Sequence, residues 1–275
     1  MRLVVGAALA LFACQGTDGT LLVRVAGAGG DGPDPAPSVW VPAEDARWLA
    51  RLDGAINVDN SADFFYLDPQ QQPADDLTSL HEQGRRYLCY LSAGTVESFR
   101  DDADLFPRHA VGNVVPDFPN ERWLDLRDAE VRALMAKRIV ALAEAGCDGV
   151  APASLTGYET DSGFDLTLQD TLDYAHFVAD AAHAAGMSVA LSGPSALTLE
   201  LWQSFDFGLA IGCVASTMCR EYAALTAAEK PVLHVELGDE SAALELCKSA
   251  QTLGFEAIVS DAGFTGRCVV CRDIL

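Results

Sequence analysis

Positive charge is scarce in this chain. Its 18 Lys and Arg residues face 40 Asp and Glu residues, leaving a formal net charge of −22. A surface of that sign repels phosphate backbones and anionic lipid head groups, which argues against a nucleic-acid partner. It favours a cationic ligand over the roughly 8–10 Å within which salt leaves charges unscreened, and it also keeps a protein soluble. An apolar run long enough to cross a membrane is missing from the N-terminus, because Leu3 to Phe12 falls short of the roughly 20 residues that a 30 Å bilayer core requires. No Gly-x-Gly-x-x-Gly follows the first β-rich segment, so the main signature of a dinucleotide-binding sheet is absent. The histidines at 81, 109, 176, 183 and 234 show no His-x-x-x-His spacing and stand beside no nucleophile motif. They read as structural, and no cofactor or metal is implied.

What is present begins with an export signal. Arg2, the apolar run and the small Ala13 before Cys14 resemble a bacterial lipoprotein signal over residues 1–14, in which Cys14 is lipidated and becomes the mature N-terminus. An ordinary secretory peptide is the alternative. Either way the chain is expected to be exported, to the cell envelope (outer membrane or periplasm) if lipidated and to the medium if not. The membrane is then a partner through the lipid alone. Residues 15–38 contain Gly27-Ala28-Gly29-Gly30-Asp31-Gly32-Pro33-Asp34-Pro35-Ala36-Pro37, a composition that reads as a flexible tether. Residues 39–275 remain for a folded domain, and a single barrel commonly occupies about 250 residues.

From Val39 onward short β-rich runs alternate with helical ones, the pattern of a parallel α/β fold. The candidate strands are 48–52, 64–67, 86–91, 123–126, 148–151, 188–191, 207–211, 232–236 and 256–260. That is nine segments for an eight-stranded barrel, so one is accessory or misread. Among the helices, 129–145 places Val131, Leu134, Met135, Ile139 and Leu142 on one face and stops at Gly146. Thr167 with Asp170 resembles a capping box that opens a helix running to Ala185 and Gly186.

The segment Cys89-Tyr90-Leu91-Ser92-Ala93-Gly94-Thr95-Val96-Glu97-Ser98-Phe99-Arg100-Asp101-Asp102, then Phe106-Pro107 and Glu121-Arg122-Trp123-Leu124-Asp125-Leu126-Arg127, resembles the signature of glycoside hydrolase family 114. That family is typified by endo-α-1,4-polygalactosaminidases. The resemblance implies a single-domain (β/α)8 TIM barrel over about residues 40–271, with chemistry at the carboxyl ends of the strands. On this reading Asp68 ends the second strand, Ser92 to Glu97 leave the third, Asp125 ends the fourth and Glu236 ends the strand Val232-Leu233-His234-Val235. The chain departs from the family where acids are expected. Val150-Ala151-Pro152-Ala153-Ser154-Leu155-Thr156-Gly157-Tyr158 stands where the family reads Val-Glu/Asp-Pro-Asp-Asn-x-Asp-Gly-Tyr. Ser192-Gly193 replaces its Lys-Asn, Ile211-Gly212-Cys213 replaces its Asn-Glu-Cys, and its first-strand Gln positions fall on Leu49 and Arg51. The implied acid pair therefore falls on Ala153 and Gly212.

Glycoside hydrolysis needs two carboxyl groups about 5–9.5 Å apart, and alanine and glycine supply neither. The expectation is a catalytically degenerate relative that binds an amino-sugar polysaccharide, such as a cationic galactosamine-containing polymer. Asp68, Ser92, Glu97, Arg100, Asp125, Tyr158 and Glu236 are its candidate contacts. The alternatives are an active hydrolase using relocated carboxylates, Asp68, Asp125 and Glu236, and a structural envelope protein without a ligand. The acids have a competing role in loop-ordering ion pairs, Glu97 and Asp102 with Arg100, and Asp125 with Arg122 and Arg127. Phe99, Trp123, Tyr158 and Phe164 are candidate sugar platforms if they are not core, with Tyr158 foremost because it keeps the family's loop frame. Of the eight cysteines, seven remain after Cys14, so at least one is expected to stay free. Cys213 and Cys219 keep the family's spacing and imply a disulfide, and Cys247 is expected to pair with Cys268 or Cys271. A metal at Cys268-x-x-Cys271 lacks a second ligand pair nearby.

Overall fold

The computed structural model describes residues 39–275, apart from 44, 58–60, 117, 194, 254, 256, 266 and 267. The expected signal, the lipidated Cys14 and the tether lie outside the described residues.

Eight strands follow one another around a single sheet: β1 (Trp48–Arg51), β2 (Phe64–Leu67), β3 (Arg86–Ser92), β7 (Gly149–Ala153), β8 (Ser188–Leu191), β9 (Phe207–Ile211), β10 (Val232–Leu237) and β11 (Ala257–Ser260). Every neighbouring pair in this series is parallel. A short β12 (Cys268–Val270) adds antiparallel to β11 and lies against β1, which brings the two edges of the sheet together. The result is the α/β barrel expected from the alternating pattern.

Three strands lie outside it. Helix α1 (Ala74–Glu82) follows β2, and β4 (Thr95–Glu97), β5 (Val111–Val115) and β6 (Phe118–Leu124) form a separate antiparallel sheet in the order β4-β6-β5, inserted between β3 and helix α2 (Ala129–Glu144). The β-rich run at 123–126 thus belongs to this insertion and is the accessory one of the nine segments. Asp125 consequently does not end a barrel strand.

Strand alternation separates two apolar layers. Trp48, Phe64, Tyr66, Leu88, Phe207 and Val235 fill the barrel interior. Leu67, Cys89, Val150 and Val189 face outward and pack under the helices, where α2 contributes Val131, Met135 and Ile139, and α3 (Leu168–Ala184) contributes Tyr174 and Val178. Each fully buried aliphatic side chain contributes about 1.5–3 kcal/mol relative to exposure. The helix starts are chemically fixed. Asp128 accepts from the backbone N–H groups of Glu130 and Val131, and Thr167 and Asp170 exchange both bonds of a capping box.

Disulfides join Cys89 to Cys147, Cys213 to Cys219 and Cys247 to Cys271, and Cys268 is the free thiol among the described residues. The Cys213–Cys219 pair matches the resemblance, and Cys271 rather than Cys268 takes Cys247. The Cys89–Cys147 bridge ties β3 to the turn before β7 and is not among the pairings expected from the sequence.

Candidate active site

Because the eight barrel strands are parallel, their carboxyl ends share one rim. The inward parity of Tyr66, Leu88, Ala151, Leu209, Val235 and Ile258 carries forward to Asp68, Ser92, Ala153, Ile211, Leu237 and Ser260 at the mouth. Ala153 closes β7 with a methyl group. Gly212 follows β9 with φ +64°, and a Cβ built there would meet nothing within 4 Å. Space for a side chain exists at Gly212, but the backbone has taken a left-handed conformation that any larger residue would strain.

Charge gathers on the β2–β3 side instead. Arg100 makes ion pairs with Asp68 (2.8 Å) and Glu97 (2.6 Å), and all three side chains are more than nine-tenths buried. Its third direction is held by Gln70, whose Oε1 accepts from Nη1 at 2.8 Å, while Asp68 also accepts from the Gln70 backbone N–H. These groups border a cavity of about 390 Å³ that is shared with Tyr90, Ser92 and the side of α2 carrying Arg138. Arg138 in turn clamps Asp102 with two hydrogen bonds of 2.7 Å, which hold that carboxyl below its ordinary range. Asp102 therefore pairs with Arg138 and not with Arg100.

The insertion brings a third acid to this cluster. Antiparallel pairing of β4 with β6 sets Glu97 directly opposite Glu121, so the two side chains leave the same face of the small sheet. Glu121 accepts from Thr95 Oγ1 at 2.9 Å, and Thr95 also meets Ser92 through its hydroxyl. Burial pushes the Glu121 carboxyl above its ordinary range. The Thr95 bond opposes that shift, and the nearby Glu97 adds to it. Tyr90 is likewise raised, by burial first and then by Glu97 and Glu121. Along the chain Glu121 stands out only as part of the Glu121–Arg127 segment, because strand pairing is invisible there.

A like-charge pair directly opposite across two strands costs stability, by roughly 0.2–1 kcal/mol. Glu121→Gln should therefore stabilise the fold at neutral pH by about that amount, since glutamine can still accept from Thr95. The sign follows from the raised carboxyl. The folded chain holds this proton to higher pH than the unfolded chain, so the penalty is full above the folded value and vanishes once both states are protonated. Urea denaturation at neutral and acid pH checks this, and a variant that loses stability at neutral pH refutes it.

The remaining predicted acids lie elsewhere. Glu236 has the parity of His234, opposite to Leu233, Val235 and Leu237, and is fully buried in the outer layer. There it accepts from His234 Nε2 (2.6 Å), Val214 N (2.8 Å) and Ala215 N (3.3 Å). It fastens the loop after β9 and does not point into the mouth. Asp125 forms a two-pronged pair with Arg127, which holds its carboxyl low. Among the four aromatic candidates Phe99 alone is open, at 57% exposure, with the Arg100 guanidinium 5.1 Å from its ring centre. Trp123 is 4% exposed, and Tyr158 and Phe164 are partly buried against the outer core. Asp68, Ser92, Glu97 and Arg100 are thus brought together, while Asp125, Tyr158 and Glu236 are not part of that cluster.

The sequence that builds this barrel and its insertion also matches a known family profile. Glycoside-hydrolase family GH114 matches residues 32–275. The chain belongs to that family. Among solved structures, Aspergillus fumigatus Ega3 in complex with galactosamine is similar at 29% identity and TM-score 0.78, over 86% of this chain and 100% of that one. The glycoside hydrolase domain of PelA from Pseudomonas aeruginosa shares the fold at 16% identity and TM-score 0.65, over 82% of this chain and 98% of that domain. A comparison with curated proteins gave no match.

Proposed function

We propose that this GH114 member is an exported protein that binds galactosamine-containing polysaccharide at the barrel mouth without hydrolysing it. The observation that carries this reading is the state of the carboxylates around the rim. Ala153 and Gly212 bear none, and among the acids predicted to replace them Asp68 is bound to Arg100, Asp125 to Arg127, and Glu236 is turned into the outer layer. General acid or base assistance is worth roughly 10²–10⁴-fold per group, so a mouth without a free pair retains little of the rate. The same groups suit binding. Around the cavity Asp68, Glu97, Asp101 and Asp102 outnumber Arg100, Lys137 and Arg138, and Glu121 stands opposite Glu97, which leaves a negative cleft for an ammonium-bearing sugar, with Phe99 offering an open ring beside it. The galactosamine bound to Ega3 supports that ligand class, and three disulfides support export, because such bonds persist in oxidising compartments.

A second reading has one observation in its favour. Glu97 and Glu121 face each other, with Glu121 inclined to keep its proton, as a general acid must. Against it stands the 2.6 Å bond from Arg100 to Glu97, which occupies the carboxylate that would act as base or nucleophile.

Calorimetric titration with oligosaccharides of galactosamine tests the binding reading. Binding should weaken as salt rises and fall further on Glu97→Gln or Phe99→Ala. Salt-independent binding, or none, contradicts it.

A further inference from the structure

The barrel mouth has two unlike walls. In the order of the sheet β9 and β10 are the sixth and seventh barrel strands, so they stand across the barrel from β2 and β3, the second and third. With strands about 4.8 Å apart and tilted by about 36°, the two walls are about 15 Å apart from backbone to backbone. Different sugar units of one oligosaccharide therefore meet them. Asp68 and Ser92 end the first wall, with Glu97 and Arg100 beside them.

Ile211 and Leu237 end the second. Their inward parity is secured by the ladder around them, because Ile211 pairs with Val235, the Gly212 N–H donates to the Val235 carbonyl, and the Gly238 N–H donates to the Ser260 carbonyl. The other inward residues of these strands, Phe207, Leu209, Leu233 and Val235, are buried, whereas Ile211 and Leu237 are 37% and 40% exposed. Beside them a Cβ at Gly212 would meet nothing within 4 Å, so this wall borders open space. It is also held firmly. The Cys213–Cys219 disulfide closes the loop that follows Ile211, and Glu236 accepts from the Val214 and Ala215 N–H groups of the same loop.

The acids that follow these strands are engaged in their own turns. Asp239 accepts from the backbone of Ser241 and Ala242, and Asp261 from that of Gly263 and Thr265. An ammonium group set against Ile211 and Leu237 would lose water to hydrocarbon, which is unfavourable. A methyl group there would gain by leaving water. N-acetylation of an amino sugar makes that exchange, since it removes the charge from the nitrogen and adds a methyl group.

We propose that Ile211 and Leu237 form a subsite for an N-acetylated amino sugar, so that the mouth recognises a mixed polymer, with a free ammonium toward Asp68 and Glu97 and an acetamido methyl group toward β9 and β10. This inference rests on the saccharide-binding reading above and adds which units the polymer carries. A wall fixed before the ligand arrives spends little of the binding on ordering side chains and loop.

Calorimetric titration of the full chain with α-1,4-linked galactosamine oligosaccharides of one length tests the subsite. The panel holds the free-amine form, a set with one N-acetyl group at each position in turn, and the fully N-acetylated form. The best singly acetylated ligand should bind about 4–10-fold more tightly than the free amine, the scale of one methyl group entering an apolar site, and the fully acetylated form most weakly. Ile211→Ser and Leu237→Ser should bring that ratio toward one, whereas Glu97→Gln on the opposite wall should weaken both ligands and keep it. The wild-type ranking needs no variant. No gain from acetylation at any position, or serine variants that weaken free and acetylated ligands equally, overturns the subsite and leaves the binding reading standing. Absence of binding by every member of the panel overturns both.

Discussion

Arg100→Ala should lower the stability of the fold by about 3–5 kcal/mol, the cost of removing one partner from a buried ion pair. Asp68 and Glu97 lie 2.8 and 2.6 Å from the guanidinium, and their side chains are only 7% and 6% exposed. Without Arg100 both carboxylates must be buried unpaired or take up protons, and Glu121 adds a third acid opposite Glu97. A surface pair would contribute only about 0–1 kcal/mol, so the measured loss separates the two situations. Arg100→Lys should recover part of the loss, because one ammonium cannot reproduce a planar fork that grips two carboxylates and Gln70. Urea denaturation gives the number. A loss below about 1 kcal/mol would show that the triad is solvated, and the negative cleft assigned to sugar binding would lose its scaffold.

Replacing Cys89 and Cys147 together with alanine should cost about 4 kcal/mol. The bridge spans 58 residues, and the entropy released to the unfolded chain by opening a loop of that length corresponds to roughly this value. The loop holds the whole insertion, β4 to β6, together with α2. Its opening therefore frees the segment that delivers Glu97, Arg100 and Glu121 to the mouth. Both sulfurs are buried, so a small cavity term adds to the entropic one. Denaturation of the double variant with the other two disulfides intact tests this. A change of less than about 1 kcal/mol would show that strand pairing alone organises the insertion.

The barrel was legible in the sequence because its period is strong. Eight of the nine β-rich segments are barrel strands, and helices α2 and α3 begin and end within a residue or two of their caps and glycines. The ninth, 123–126, carries the same β-rich composition as a barrel strand. Its partners decide its role, and β4 and β5 are short, polar or glycine-bearing runs such as Val111-Gly112-Asn113 that give no signal alone. The Cys89–Cys147 bridge left no trace for a similar reason, since a span of 58 residues has no spacing signature.

The site was legible in part. Proximity along the chain pairs Glu97 with Arg100 correctly, but it also assigns Asp102 to Arg100, where the partner is Arg138, and gives no sign that Asp68 is the second carboxylate on Arg100. Glu236 is instructive because a signal existed. In Val232-Leu233-His234-Val235-Glu236-Leu237 the apolar residues at 233, 235 and 237 share one face, which puts Glu236 on the other with His234. Counting strand ends without following that alternation aims it into the mouth. Glu121 could not be singled out, because its significance lies in the residue across from it on β4.

The proposed function requires a family barrel that binds saccharide at its mouth without a working acid pair. Its most direct test is to incubate the unmodified full chain with α-1,4-linked galactosamine oligosaccharides that it binds in the calorimeter, and to count new reducing ends. Binding without any release above the uncatalysed background is the predicted result. Sustained cleavage that disappears in Glu97→Gln or Glu121→Gln would overturn the binding-only reading and identify the pair across β4 and β6 as the catalytic acids.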